Sequence, residues 1–225
     1  MKSFHSFATI MEEKDIKDRI VRGAMELFMK YGVRSVSMDD IARHLSVSKK
    51  TLYQYFADKD EIVTIVAEFH LKQEQIQYDG LRAEAENAID ELVKISTCIK
   101  KDLQKMNPSL LFDLQKFHPK AWGAWLTHKQ EHIGQSIIRN LKQGIAEGFF
   151  RPEINTDILA IARLELVQIT FDERVFPADR YNLAEVNLQL FEHFVYGVLT
   201  DKGRKVYEKY KQQLSSNLEL ISPIL

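Results

Sequence analysis

Residues 49–56, KKTLYQYF, place Leu52 and Phe56 four apart, the separation that puts two side chains on one face of a helix. Lys49, Lys50, Thr51, Tyr53, Gln54 and Tyr55 are left on the outer faces. Lysines at a helix start oppose its dipole and cost a little stability. They gain a purpose where phosphates and guanine edges lie against that end of the helix. Taken alone, the stretch is equally consistent with a solvated cationic turn.

The elements that must position this helix precede it. Ser37 is placed to cap a helix with Met38, Ile41, Ala42 and Leu45 on one face, and Asp39 and Asp40 fall in its first turn, where the dipole favours acid. Ser46, Val47 and Ser48 break the pattern, with Val47 pinning the turn and Ser48 capping the lysine-bearing helix. Upstream, residues 12–31 carry Ile16, Ile20, Ala24, Leu27, Phe28 and Tyr31 on one stripe that ends at Gly32, and Val33 and Val36 extend the same small core. Residues 1–10 have no clear helical period and are expected to form a flexible arm, with Lys2 its one cation.

These residues resemble the TetR family of bacterial transcriptional regulators. The resemblance runs over residues 24–63, AMELFMKYGVRSVSMDDIARHLSVSKKTLYQYFADKDEIV, and includes the glycine after the first helix, DDIA, S-x-x-TLY-x-YF and D-K-x-E-I. It implies an all-α chain with an N-terminal three-helix helix-turn-helix domain, residues 1–60, that binds DNA. Residues 61–225 would then form a larger helical domain that binds an effector and dimerises. Carried over by position, Lys49, Lys50 and Tyr53 would meet base edges or their surroundings, and Ser37, Ser48, Thr51, Tyr55 and Lys59 would meet phosphates. A homodimer would read a palindromic operator with heads about 34 Å or a small multiple apart. A small, largely apolar effector would release it, making the chain a repressor.

Composition fits this expectation. The chain has 225 residues, 45% hydrophobic, with a formal net charge of −1, so DNA affinity must come from a local patch rather than a general basic coat. Residues 1–60 hold eleven basic against nine acidic side chains, a mild excess of the right sign. Cys98 is the one cysteine, which excludes an intrachain disulfide and a cysteine-rich zinc site and suits a reducing cytoplasm. No apolar run approaches the roughly 20 residues of a membrane span. Neither paired carboxylates in an apolar setting, nor a G-x-S-x-G, nor a phosphate-binding glycine loop is present, and no cofactor or enzyme activity is expected. His128 and His132 share a helix face four apart, but Lys129 stands where a zinc hydrolase motif needs glutamate, so the pair is expected at the surface with no metal.

Beyond the reading segment, residues 58–80 are expected to form a connector helix without a proline- or serine-rich linker. Helices should follow over 80–103 and 108–117, then over 120–147, with breaks at Asn107-Pro108 and His118-Pro119. Those two restarts, with Phe112, Phe117, His118, Trp122 and Trp125 nearby and Phe171 to close the space, are the expected effector pocket. His118 is expected to satisfy a backbone carbonyl at the bend. Residues 157–171 and 180–199 read as two further helices, and the second is apolar on more than one face. The resemblance implies that these two helices pack against their copies, so Leu164, Val167, Leu183, Leu190, Phe191, Phe194 and Val198 are the expected dimer interface, with a short charged helix over 202–214. Two other readings remain: a regulator governed by a protein partner, and an all-α metal-binding protein or enzyme that retains only the N-terminal fold.

Overall fold

A computed structural model describes residues 2–220. The described chain is helical: α1 (Lys2–Tyr31), α2 (Met38–Leu45), α3 (Lys49–Tyr55), α4 (Lys59–Ala83), α5 (Ala88–Lys105), α6 (Leu110–Phe117), α7 (Pro119–His128), α8 (Gln135–Ala146), α9 (Thr156–Ile169), α10 (Leu183–Val198) and α11 (Asp201–Leu220). A π-helical turn, Lys129–Gly134, joins α7 to α8 where one continuous helix was expected. Among the described residues the strand-like pairing is a single antiparallel bridge, Phe150 with Leu199.

The chain divides into two compact units, Met1–Glu74 with Lys105–Thr127, and Gln75–Gln104 with His128–Leu225. The boundary expected at residue 60 therefore lies elsewhere. Backbone hydrogen bonds give the reason: the Asn107 N–H donates to the Met29 carbonyl at 2.7 Å, and the Arg34 N–H donates to the Asp113 carboxylate at 3.2 Å. Both tie the 105–127 segment to the first unit. The expected arm also differs, since α1 extends back to Lys2. No glycine or proline precedes Gly23, so nothing in the sequence ends the helix sooner.

In the first unit the core joins Ile20, Ala24 and Phe28 of α1 to Ile41 and Leu45 of α2, Leu52 and Phe56 around α3, and Ile62 and Val66 of α4. Gly23 permits the closest approach of α1 to α2, because a Cβ there would lie 2.5 Å from Leu45 Cδ2. Gly32 ends α1 with φ +79°, the left-handed conformation its position at the helix end predicts.

The second unit packs Ala88, Ile89 and Val93 of α5, Leu141 of α8, Phe150, and Phe191, Phe194, Val195 and Val198 of α10 around one core, with Tyr207 of α11. Its buried polar groups are mostly paired: Arg139 is bridged to Glu91, whose carboxylate also accepts from Asn140 at 3.0 Å. Burial of a charge is tolerable on such terms.

Candidate nucleic-acid interface

Three local devices set the exposed helix α3. Ser37 and Asp40 form a reciprocal capping box at the start of α2: the Asp40 N–H donates to Ser37 Oγ at 3.2 Å, and the Ser37 N–H donates to the Asp40 carboxylate at 2.9 Å. The Ser37 hydroxyl and N–H together hold the Asp40 carboxyl below its ordinary range. Ser46 then leaves α2 in the left-handed region, φ 55°, and its N–H donates back to the helix. Ser48 caps α3, accepting from the Thr51 N–H at 2.9 Å, and its hydroxyl also meets the Thr51 hydroxyl at 2.7 Å.

Leu52 and Phe56 are fully buried, as their spacing predicts, although Phe56 lies just past the last residue of α3. What remains outside is a short polar and aromatic face. Tyr53 is 48% exposed, Lys49, Lys50 and Gln54 are exposed, and Thr51 and Tyr55 are half-buried. Lys49 is not free: its ammonium lies 2.9 Å from Asp39 in the first turn of α2, and that hydrogen bond holds its pKa above the ordinary value. Lys50 has no carboxylate partner among the described residues. Lys59 opens α4 half-buried, and desolvation lowers its pKa while Asp113 and Asp40 oppose the shift. Six of the eight expected DNA-facing residues thus lie on or cap one short helix, with Ser37 and Lys59 starting the helices on either side of it.

The expected pocket is not assembled as the spacing suggested. Trp122 and Trp125 do stack, centroids 5.0 Å apart and nearly parallel, with Trp125 buried. Phe112 and Phe117 turn outward instead, 41% and 43% exposed, where Lys116 lies over both rings and Arg34 over Phe117. Leu110, Leu111 and Leu114 take the inner face of α6 in their place. Phe171 belongs to the other unit. His118 meets a carboxylate rather than a backbone carbonyl, with Nδ1 2.7 Å from Asp60 Oδ1. A concavity of about 450 Å³ is lined by Asp15, Asp18, Arg19, Arg22, Glu26 and His44 with Gly23 and Leu45, none of them an expected pocket residue.

The expected interface residues are also displaced. Leu164, Phe191, Phe194 and Val198 are buried within their own unit, which accounts for the wide apolar arc of α10 without a partner. Val167, Leu183 and Leu190 are half-buried. Of the large apolar side chains this unit exposes, three lie on α9, Ile158 at 62%, Ile161 at 63% and Ile169, and the others, Ile76, Val175 and Tyr181, lie elsewhere. His128 is buried and His132 exposed, so they are not the surface pair that was expected, although their rings sit 5.1 Å apart.

Three residues of interest were missed in the sequence. Asp39 was read only as a dipole partner, because its pairing with Lys49 crosses the turn. Asp60 carries no local signal, because its partner His118 lies 58 residues further on. Arg163 had a signal, the one cation in a run, LAIARLELV, whose only other charged residue is Glu165.

An N-terminal bundle that packs the apolar faces of α1 and α2 beneath a third helix and leaves the outer face of that helix exposed has the form of a helix-turn-helix head, the class of domain that lays its second helix in a DNA groove. Residues 20–64 match the family described as bacterial regulatory proteins, tetR family. The uncharacterized HTH-type transcriptional regulator YvaF of Bacillus subtilis is 31% identical over 105 residues, 46% of this chain and 55% of its own length. The HTH-type transcriptional regulator HbdR of Aromatoleum sp. is 24% identical over 213 residues, 93% of this chain and 91% of its own. A transcriptional regulator from Saccharomonospora viridis, solved in complex with choline, shares the fold with a TM-score of 0.69 at 17% identity, over 83% of this chain and 99% of that one. Over residues 20–64 the chain is thus similar to the tetR family of bacterial regulatory proteins, and the relatives it matches are named as transcriptional regulators. Among the described residues no helix is long and apolar enough to cross a membrane.

Proposed function

We propose that this protein is a cytoplasmic repressor that binds a palindromic operator as a homodimer and leaves it when a small molecule binds the helical domain. The observation that carries this reading is the outer face of α3. Lys50 and Tyr53 stand exposed on a helix too short to hold its place except through Leu52 and Phe56 beneath it. Lys49, Lys50 and Tyr53 then address base edges, and Ser37, Ser48, Thr51, Tyr55 and Lys59 address phosphates. The choline complex of the Saccharomonospora viridis regulator supports a small-molecule effector. The exposed isoleucines of α9 support a second copy of the chain as partner, because a short recognition helix alone reads too few base pairs.

The test is affinity selection of fragmented source-genome DNA on wild-type protein and on Tyr53→Ala at near-physiological salt. Wild type should enrich a palindrome that the variant loses. Equal enrichment by both proteins, or none by wild type even after unfolding and refolding to strip bound ligand, defeats the proposal.

A further inference from the structure

Arg163, on α9, is 6% exposed, and its Nη1 is buried with no hydrogen-bond partner. Its guanidinium lies over the rings of Phe191 and Phe194, centroids 5.3 and 5.9 Å away. Neither ring supplies a hydrogen-bond acceptor or a negative charge. Burial alone pushes the group down to about 10, with no carboxylate acting against it. Two other cations of this unit have a carboxylate that Arg163 lacks: buried Lys129 meets Glu165 at 2.8 Å, and half-buried Arg139, whose Nε is also without a hydrogen-bond partner, is bridged to Glu91. A buried guanidinium left without an acceptor carries an uncompensated desolvation cost, and its planar fork matches a carboxylate or phosphate.

We infer that Arg163 is the recognition group for an anion, a carboxylate or phosphate carried by a small molecule that enters the second unit beside Phe191 and Phe194. The position on α9 argues against a second copy as the source of the charge. At about 100° per residue, Arg163 lies roughly 140° round the helix from Ile158, away from the exposed isoleucine stripe and toward α10. The rings on which it rests belong to the interior. An anion with an apolar body fits such surroundings, since the headgroup satisfies Arg163 and the body covers phenylalanine. This assignment rests on the effector reading above only for its consequence at DNA.

The test is thermal unfolding of the full-length, refolded protein, as wild type, Arg163→Met and Arg163→Lys. Probes are acetate, inorganic phosphate, decanoate and decyl phosphate, with decyltrimethylammonium as the cation of equal chain length, below micelle formation and at constant ionic strength. At least one anion should raise the wild-type midpoint in a saturable way that the cation does not. Arg163→Met should weaken that response roughly 10-fold or more, and Arg163→Lys less, because a charge-assisted hydrogen bond is lost in one and weakened in the other. A response to acetate or phosphate alone assigns a free anion, and a need for the decyl chain assigns an amphiphile; both support the site. The site is refuted if no anion exceeds the cation on wild type, a comparison that decides the matter even if neither variant folds. It is also refuted if Arg163→Met keeps the full response, or if that variant changes only the monomer–dimer equilibrium. Failure to select an operator would leave the anion-dependent midpoint intact, so the two proposals fail separately.

Discussion

The Lys49 ammonium sits 2.9 Å from the Asp39 carboxylate, so the first residue of α3 is held by the first turn of the helix before it. Both side chains are exposed, and such a pair adds little stability. Its consequence is for binding, because a lysine already neutralised by its own chain has to exchange that carboxylate for a phosphate or a base. Asp39→Asn should therefore tighten binding to operator and to unrelated DNA alike, by about 3- to 10-fold near 0.1 M salt, and steepen the salt dependence. Titration of both DNAs at several salt concentrations checks this. Weaker binding by the variant would mean that Asp39 positions Lys49 rather than restrains it.

Asp40 gives a pH dependence whose sign is fixed. Its carboxyl is held below the ordinary range, first by the Ser37 hydroxyl and then by the Ser37 N–H. A carboxyl with a folded pKa below its unfolded one binds its proton more readily when unfolded, so its contribution is present above the unfolded value and fades as pH falls through the folded one. The gap in melting temperature between wild type and Asp40→Asn should be open at pH 6 and should narrow below about pH 4, near the ordinary carboxylate value. A gap independent of pH would show that the ionised form has no special part in the cap.

The reading head was legible because its signals are local. Ser37 with Asp40, Ser48 with Thr51, Gly32, and Leu52 with Phe56 are each decided within a few residues, and the structure places them as their spacing implies. The later helices were legible as helices and not as surfaces. Phe112 and Phe117 read as lining because they are aromatic, yet on α6 the leucines compete for the inner face and the phenylalanines are covered by Lys116 and Arg34. Phe191, Phe194 and Val198 read as an interface because α10 is apolar on more than one face, and only the packing of α5 and α8 against it reveals that these residues face inward. The partner of His118 lies 58 residues away at Asp60, a separation that no periodic pattern encodes.

Ser46 carries the positive φ that ends α2, a conformation in which an L side chain crowds its own backbone. Its N–H, not its side chain, supplies the cap hydrogen bonds. Ser46→Gly should relieve the crowding and keep the cap, raising stability by about 0.5–1 kcal/mol after the greater freedom of glycine in the unfolded chain is counted. Ser46→Val should do the reverse, because a β-branched residue tolerates this region poorly. Chemical denaturation followed by helical circular dichroism ranks the three proteins, and the order Gly, Ser, Val is expected. Any order with valine above serine would mean that the turn rearranges rather than bears the cost.

Ile161 tests the dimer where the structure puts exposed apolar surface. It is 63% exposed on α9, with Ile158 three residues before it and Ile169 two turns after, so these side chains form one stripe, which also holds Glu165, itself paired with Lys129 at 2.8 Å. A second carboxylate in that stripe, with no cation of its own beside it, is harmless to a monomer, which leaves it in water, and costly in an interface, which buries it against its own symmetry mate. Ile161→Glu should retain the helical content and thermal midpoint of a folded monomer while sedimentation equilibrium shows half the mass of wild type. Because two linked heads gain from an effective concentration that one head lacks, the variant should also lose most of its affinity for a palindrome while keeping weak binding to a half-site. A wild-type protein that sediments as a monomer would remove the basis for this interface, whereas a variant that stays dimeric would move it off the α9 stripe.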